Sequence, residues 1–383
     1  MYIPRIIEEG IKNHLFHGKA VVVYGARQVG KTTMVRKILA DSTVSAKYIN
    51  CDEADQRRQF LEAETSSSLK QILGDSKIVV IDEAQRIKDI GLKLKLMVDT
   101  FPNQQIIATG SSAFELSAEI SEPMTGRVFE FWLHPFSVAE LKNIWPDQEF
   151  LRQLESLLVY GSYPDVIEAT SLENKKTAIN IIANNYLYKD ILKFQNLKNS
   201  DIVRKLLEAL ALQVGSEVSY TELGKLLSIH RETVANYIGI LEQAFIIFRL
   251  RPFSRNLRKE LGKLQKIYFY DLGVRNSLIN NHNPLTLRND IGALWENFIV
   301  SEKKKQDNFI GDPKSFYFWR TWDQQEIDLV EEKNGRLHGL EIKWSRDRKK
   351  APKAWHEAYP GSTWEIVTRD NFLSYFARAE LIN

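Results

Sequence analysis

The chain has a single cysteine, Cys51, in 383 residues. An intrachain disulfide and a cysteine-based zinc cluster are therefore excluded, and the composition suits a reducing compartment. An excess of one charge is missing too. With 52 Lys and Arg against 49 Asp and Glu, the net charge is +3, so affinity for nucleic acid has to come from local basic patches. Long apolar runs are absent, and none approaches the roughly 20 residues that span a bilayer. The start, MYIPRIIEEG, has acids where a signal peptide needs an apolar stretch. The expectation is a cytoplasmic protein without membrane partners. Its length suggests more than one domain.

What is present begins with VVVYGARQVGKTTMV, from Val21 to Val35. The segment GARQVGKT fits the phosphate-loop spacing G-x-x-x-x-G-K-[ST]. A short β-branched run precedes it, as in a buried parallel strand, and Met34, Val35, Ile38 and Leu39 follow at helical spacing. Such a loop offers backbone N–H groups and a helix N-terminus to phosphate. The expected ATP contacts are Gly25, Ala26, Arg27, Gln28, Val29, Gly30, Lys31, Thr32 and Thr33. Lys31 would reach the β- and γ-phosphates, and the Thr32 hydroxyl would face Mg2+. The plain alternative is a glycine turn beside a surface lysine.

A second element should bring acid to the metal. KIVVIDEAQ, Lys77 to Gln85, is an apolar run ending in Asp82 and Glu83. A carboxylate at the end of such a strand lies at the sheet edge where ligands bind. Asp82 would orient Mg2+, and Glu83 would polarise the attacking water. The alternative for Asp82 is a helix N-cap. A further strand, QQIIATGSS, ends in Thr109, Ser111 and Ser112. Where a strand is inserted between the two motifs, a polar residue at this point touches the γ-phosphate or the water. The same residues also suit a plain turn, and Ser111 is the candidate carried forward. Arg127 precedes another strand-like stretch. It is read either as a γ-phosphate contact, in its own chain or a neighbour's, or as a salt-bridged surface residue.

GARQVGKTT, VVIDEAQ, ATGSSAFEL and GRVFEFWLHPFS together resemble the prokaryotic AAA+/STAND-like ATPases, close to the archaeal type. The resemblance covers most of the chain and is most specific in the ATPase half. It implies an ATPase domain, a helical lid, a winged helix and a C-terminal domain of unknown function. Within YGSYPDVI it implies that Gly161 and Pro164 lie near the adenine.

From Asp201 the pattern is helical. DIVRKLLEALALQVG is followed by a short helix around Leu223, Leu226 and Leu227, then the turn SIH. A second helix runs from Arg231 to Leu241 with Val234, Tyr237, Ile238 and Leu241 inward. FIIFRL and KIYFYDL read as two wing strands, giving a winged helix-turn-helix. Arg231, Thr233 and Asn236 would face outward toward DNA. The wing connection adds Arg251, Arg255, Arg258, Lys259, Lys263 and Lys266 as a basic patch. Packing on a neighbouring domain, with the charges merely solvated, is the competing reading.

The C-terminal region offers a helix with Glu296, three strand-like segments (FYFWRT, EIDLVEE and LHGLEIKW), a basic helix and TWEIVT. That order resembles the PD-(D/E)XK fold of restriction endonucleases. Residues i and i+2 of a strand share a face, so Glu341 and Lys343 project together, and Asp328 can come opposite them. Asp328 and Glu341 would hold Mg2+ or Mn2+, with Glu296 completing the site, and Lys343 would act on water and phosphate. The alternative is an ordinary Glu–Lys pair on a solvent face.

The fold class expected is thus α/β. A P-loop parallel sheet (1–138) is followed by a helical lid (139–198), a winged helix-turn-helix (199–285) and a restriction-endonuclease-like domain (286–383). The function expected is ATP hydrolysis coupled to action on DNA, with ATP and Mg2+ as cofactors and a homo-oligomer as a possible assembly. The rival is a nucleotide switch whose C-terminal domain binds a partner without cutting nucleic acid.

Overall fold

The structure is a computed structural model that describes residues 2–111, 120, 122–185, 200–254, 264–307, 314–345 and 350–376. The described chain divides into two compact units. One is built from Tyr2–Pro135 with Gln243–Phe245, the other from Phe136–Glu242 and the chain from Ile246 onward.

The first unit runs α1 (Ile7–Asn13), β1 (Ala20–Gly25), α2 (Lys31–Ala40), β2 (Ala46–Asn50), α3 (Ala54–Glu62), α4 (Ser66–Leu73), β3 (Ile78–Asp82), α5 (Ile90–Thr100), β4 (Gln105–Gly110) and β5 (Val128–Leu133). Its strands form a parallel sheet in the order β2-β3-β4-β1-β5. β1, β3 and β4 are buried along their whole length, which is why their middles read as apolar runs. β4 lies between β1 and β3, so the ends of all three converge at one edge. The inserted strand expected from the sequence is therefore present.

The second unit opens with α6 (Val138–Leu141), α7 (Asp147–Tyr160), α8 (Pro164–Glu168), α9 (Leu172–Asn185) and α10 (Ser200–Leu212). Next come β6 (Glu217–Val218), α11 (Tyr220–Leu227), α12 (Arg231–Gln243), β7 (Ile247–Pro252), β8 (Gln265–Phe269), α13 (Leu272–Leu278) and α14 (Ile291–Asp307). β9 (Ser315–Arg320), β10 (Glu326–Lys333), β11 (Arg336–Ile342), α15 (Lys353–Ala358), β12 (Thr363–Val367) and α16 (Phe372–Tyr375) complete it. The helix–turn–helix and hairpin elements appear where the sequence pattern put them. Val234, Ile238 and Leu241 are buried on α12, Tyr237 is half-buried, and Arg231 and Asn236 are exposed.

The strands of this unit form a single sheet, β12-β11-β10-β9-β7-β8-β6. β7 pairs with β9 in parallel, Arg251 to Tyr317 and Pro252 to Phe318, so the hairpin and the C-terminal strands are continuous. Lid, hairpin and C-terminal elements, expected as separate modules, share one compact unit. Trp355 from α15 is fully buried with Trp319, Ile327, Val330 and Leu337. α14 brings in Trp295, stacked on Phe298 and edge-on to Phe372 at 5.1 Å. Asn297 of the same helix holds β8 by accepting from Phe269 N at 2.8 Å and donating to Phe269 O at 2.9 Å.

Candidate functional site

The candidate nucleotide site lies at the carboxyl edge of β1, β3 and β4. Gly30 sits before α2 with φ 97°, a left-handed conformation in which glycine avoids the Cβ clash that other residues meet. Lys31 is buried, and its Nζ donates to Gly25 O and Ala26 O, both at 2.9 Å. The loop thus curls around its own lysine, which holds the cation where a phosphate would meet it. Ala26 and Val29 are buried, Arg27 is half-buried, and Gln28 (φ 63°) and Thr33 are exposed.

Asp82 ends β3 and is buried. Thr32 Oγ1 donates to its Oδ2 at 2.7 Å, Tyr48 OH donates to the same oxygen, and Thr109 Oγ1 donates to Oδ1. Asp82 is no helix cap. The short 3₁₀ turn after β3 starts from Glu83, whose backbone is left-handed at φ 55° and which makes no capping bond. Glu83 Oε2 accepts from Ser111 Oγ at 2.9 Å and from Gln85 Nε2 at 2.5 Å. Gln85 Nε2 also reaches Ser111 Oγ at 3.0 Å, closing a ring of three polar groups. The polar residues ending β4 therefore hold the two acids, Thr109 on Asp82 and Ser111 on Glu83. Ser112 lies outside the described residues. A hydroxyl and a carboxylate 2.7 Å apart form an oxygen donor set that fits a hard cation such as Mg2+.

Arg127 directly precedes β5, and its carbonyl accepts from Ala20 N at the amino end of β1. The phosphate loop leaves the opposite end of β1, about 17 Å of extended chain away. An arginine side chain cannot cover that distance, so a γ-phosphate contact within the same chain is ruled out. Its Nε instead pairs with Asp99 Oδ1 at 2.7 Å, the surface salt bridge of the competing reading. In the second unit, Pro164 is the first residue of α8. Gly161 has φ 79°, and a Cβ there would stand 2.1 Å from Asp271 Oδ1. The next residue, Ser162, donates its N–H to Asp271 Oδ2 at 2.7 Å. A glycine is required at this position by its positive φ and its close approach to Asp271.

The C-terminal acids do come together. β10 and β11 are antiparallel with Leu329 opposite Leu340, and extending that register by one residue sets Asp328 opposite Glu341. Lys343 Nζ lies 2.9 Å from Glu341 Oε1 and 3.6 Å from Asp328 Oδ2. Asp328 Oδ2 also accepts from Ile342 N at 2.7 Å. Both acids are buried, whereas Lys343 is partly exposed. Burial, and then the charges of Glu296 and Glu341, push the Asp328 carboxyl up to about 7. Burial works against the Lys343 charge, but Asp328 and Glu341 outweigh it and hold its ammonium above the ordinary lysine value. Glu296, on α14, accepts from Tyr268 OH at 2.6 Å and Lys266 Nζ at 3.1 Å. Lys266 is therefore no part of an outward basic patch; it is buried. Arg255, Arg258, Lys259 and Lys263 lie outside the described residues. Among the described residues no three Asp, Glu, His or Cys side chains are arranged to hold a metal ion. Asp328 and Glu341 offer oxygen donors of the right kind for Mg2+ or Mn2+, without a third.

Residues 17–142 match the AAA domain family. Most of that match lies in the first unit, which is AAA-like. Residues 151–285 and 291–374 match two domains of unknown function, DUF8612 and DUF4143. An uncharacterized protein of Mycobacterium tuberculosis is 27% identical over 337 residues, covering 87% of this chain and 72% of its own. An uncharacterized protein of Haemophilus influenzae is 25% identical over 344 residues, covering 84% and 81%. Among solved structures, a Walker-type ATPase of Pyrococcus abyssi aligns with a TM-score of 0.47 at 16% identity, covering 72% of this chain and 94% of that one. No helix among the described residues is long and apolar enough to cross a membrane.

Three residues of the AAA-like domain escaped sequence reasoning. Arg5 is buried and donates from Nη1 to Val29 O at 2.7 Å, so the N-terminal segment braces the phosphate loop. Gln85 steadies Glu83. Tyr48, on β2, fixes Asp82 and is itself covered by Arg36 at 4.6 Å from its ring. An aromatic in a short strand gives no sign of this, because its partner is 34 residues away. If Tyr48 positions Asp82, Tyr48→Phe should raise the Mg2+ concentration needed for half-maximal ATP hydrolysis by about three- to tenfold, the equivalent of one lost hydrogen bond. An unchanged Mg2+ midpoint would leave the tyrosine with a packing role alone.

Proposed function

We propose that the chain hydrolyses ATP at the AAA-like domain and that the second unit acts on nucleic acid. The observation carrying the first half is the joint placement of Lys31, Thr32, Asp82, Glu83 and Ser111 at one sheet edge. Lys31 neutralises the terminal phosphates, and Thr32 and Asp82 hold Mg2+ when it is bound. Mg2+ there would offset phosphate charge. Glu83, released from Ser111 and Gln85, takes a proton from the attacking water.

The DNA half of the proposal is supported by the helix–turn–helix and hairpin order, read as a winged helix, with Arg231 and Asn236 exposed on α12. The paired Asp328, Glu341 and Lys343 support a nuclease-like centre in which the lysine acts on water and phosphate. One observation favours the rival reading of a nucleotide switch: Lys266 and Lys343 already neutralise part of the carboxylate charge. Incubation with ATP, Mg2+ or Mn2+ and plasmid DNA separates the two. Joint appearance of ADP and cut DNA supports the proposal, whereas ADP without cleavage supports the switch. For the duplex contact, changing Arg231 and Asn236 together to Ser should weaken binding and lower its salt dependence by about one phosphate contact. DNA affinity equal to the parent's at every salt concentration would remove α12 from the interface.

A further inference from the structure

We infer that Lys266 is a built-in cation of the C-terminal carboxylate cluster, its ammonium standing between Glu296 and Glu326 where a divalent ion would otherwise be needed. The inference rests on the proposed reading that this cluster deals with cations, but its test can fail separately.

Lys266 lies on β8, in the hairpin half of the sheet, and is 3% exposed. Its Nζ is 3.1 Å from Glu296 Oε1 and 2.6 Å from Glu326 Oε1. The Phe318 ring covers it at 5.5 Å. A buried ammonium persists only when its lost hydration is replaced, and here two carboxylates and an aromatic face replace it. Tyr268, two residues on and on the same face, donates to the same Glu296 oxygen at 2.6 Å. One strand therefore fixes Glu296 with a cation and a hydroxyl.

The surrounding charge is negative. Glu296, Glu326, Asp328 and Glu341 gather around Lys266 and Lys343. Asp328 is itself within electrostatic reach of Lys266. Lys343 serves the Asp328–Glu341 pair and Lys266 serves the Glu296–Glu326 pair. The centre between Glu296 and Glu326 is filled by the protein's own ammonium. Without that ammonium, two carboxylates would be left facing each other, a site for a hard divalent cation. Lys266 is thus a positioning residue, acting through the acids it holds.

The test uses the full chain free of nucleotide and follows its thermal unfolding in chelator and in Mn2+. In chelator, Lys266→Met should melt below the parent, and Lys266→Arg close to it, because the guanidinium restores the charge. Mn2+ should raise the midpoint of Lys266→Met by more than it raises the parent's, with an apparent Mn2+ affinity at least about tenfold tighter. The double variant Lys266→Met/Glu326→Gln should lose most of that Mn2+ response. If Lys266→Met folds only when Mn2+ is present, the inference stands. If it fails to fold even with Mn2+, or if Mn2+ shifts it no more than the parent, the inference is overturned. A parent blind to Mn2+ beside a responsive Lys266→Met would keep the inference and remove the metal-dependent nuclease reading. A parent that binds Mn2+ and cuts DNA, beside an unresponsive Lys266→Met, would do the reverse.

Discussion

The Glu83→Gln protein is expected to bind ATP as the parent does and to hydrolyse it about a hundredfold to ten-thousandfold more slowly, the usual worth of a positioned general base. The substitution preserves shape. A glutamine carbonyl can still accept from Ser111 Oγ, so the ring of Glu83, Ser111 and Gln85 has no reason to collapse. What disappears is the ability to take a proton. The comparison is single-turnover phosphate release at saturating ATP beside equilibrium binding of ATP. Hydrolysis at the parental rate would show that Glu83 has no part in activating water. The left-handed backbone at Glu83 would then belong to the turn after β3 and to nothing catalytic.

Lys31→Ala is expected to act earlier, on binding itself. Its ammonium is buried and held by two loop carbonyls, so the side chain is already oriented before phosphate arrives. Losing a buried charge opposite a charged partner costs about 2–5 kcal/mol, or roughly 30- to 5,000-fold in affinity. Titration of a fluorescent ATP analogue measures this directly. The fold should survive, because the alanine leaves two carbonyls at a loop that solvent can enter. Binding at parental affinity would mean that the phosphate loop does not hold the triphosphate through this lysine.

The sequence was most legible where backbone geometry restricts residue choice. Two glycines, a lysine and a threonine at fixed spacing leave few alternatives, and β1, β3 and β4 declared themselves through short apolar runs, with the buried polar residues Asp82, Gln105 and Thr109 confined to positions near the strand ends. Glu341 and Lys343 were readable from the period of a strand, and they do share a face. Asp328 was readable only as a neighbour. Its approach to Glu341 coincides with a register shift of β10 against β9 between Ile327 and Val330, and no local pattern announces such a bulge. Lys266 was misread because a run of basic residues says nothing about which of them turns inward. Its partners on α14 and β10 are 30 and 60 residues away. Arg5 and Tyr48 were missed for the same reason, since each acts through a partner that only the fold brings near; Gln85 sits two residues from Glu83, but its contact with Ser111 spans 26 residues. The shared sheet was hidden too, since the parallel pairing of β7 with β9 joins segments that look self-contained along the chain.

The central claim, that Lys31, Thr32, Asp82 and Glu83 form a working ATP hydrolase, is tested most directly by steady-state phosphate release from ATP by the full chain, measured with Mg2+ and again in excess chelator. Phosphate release that requires Mg2+ and stops with chelator is the predicted result; a chain that binds ATP yet releases no phosphate, or releases it equally well in chelator, would contradict the account.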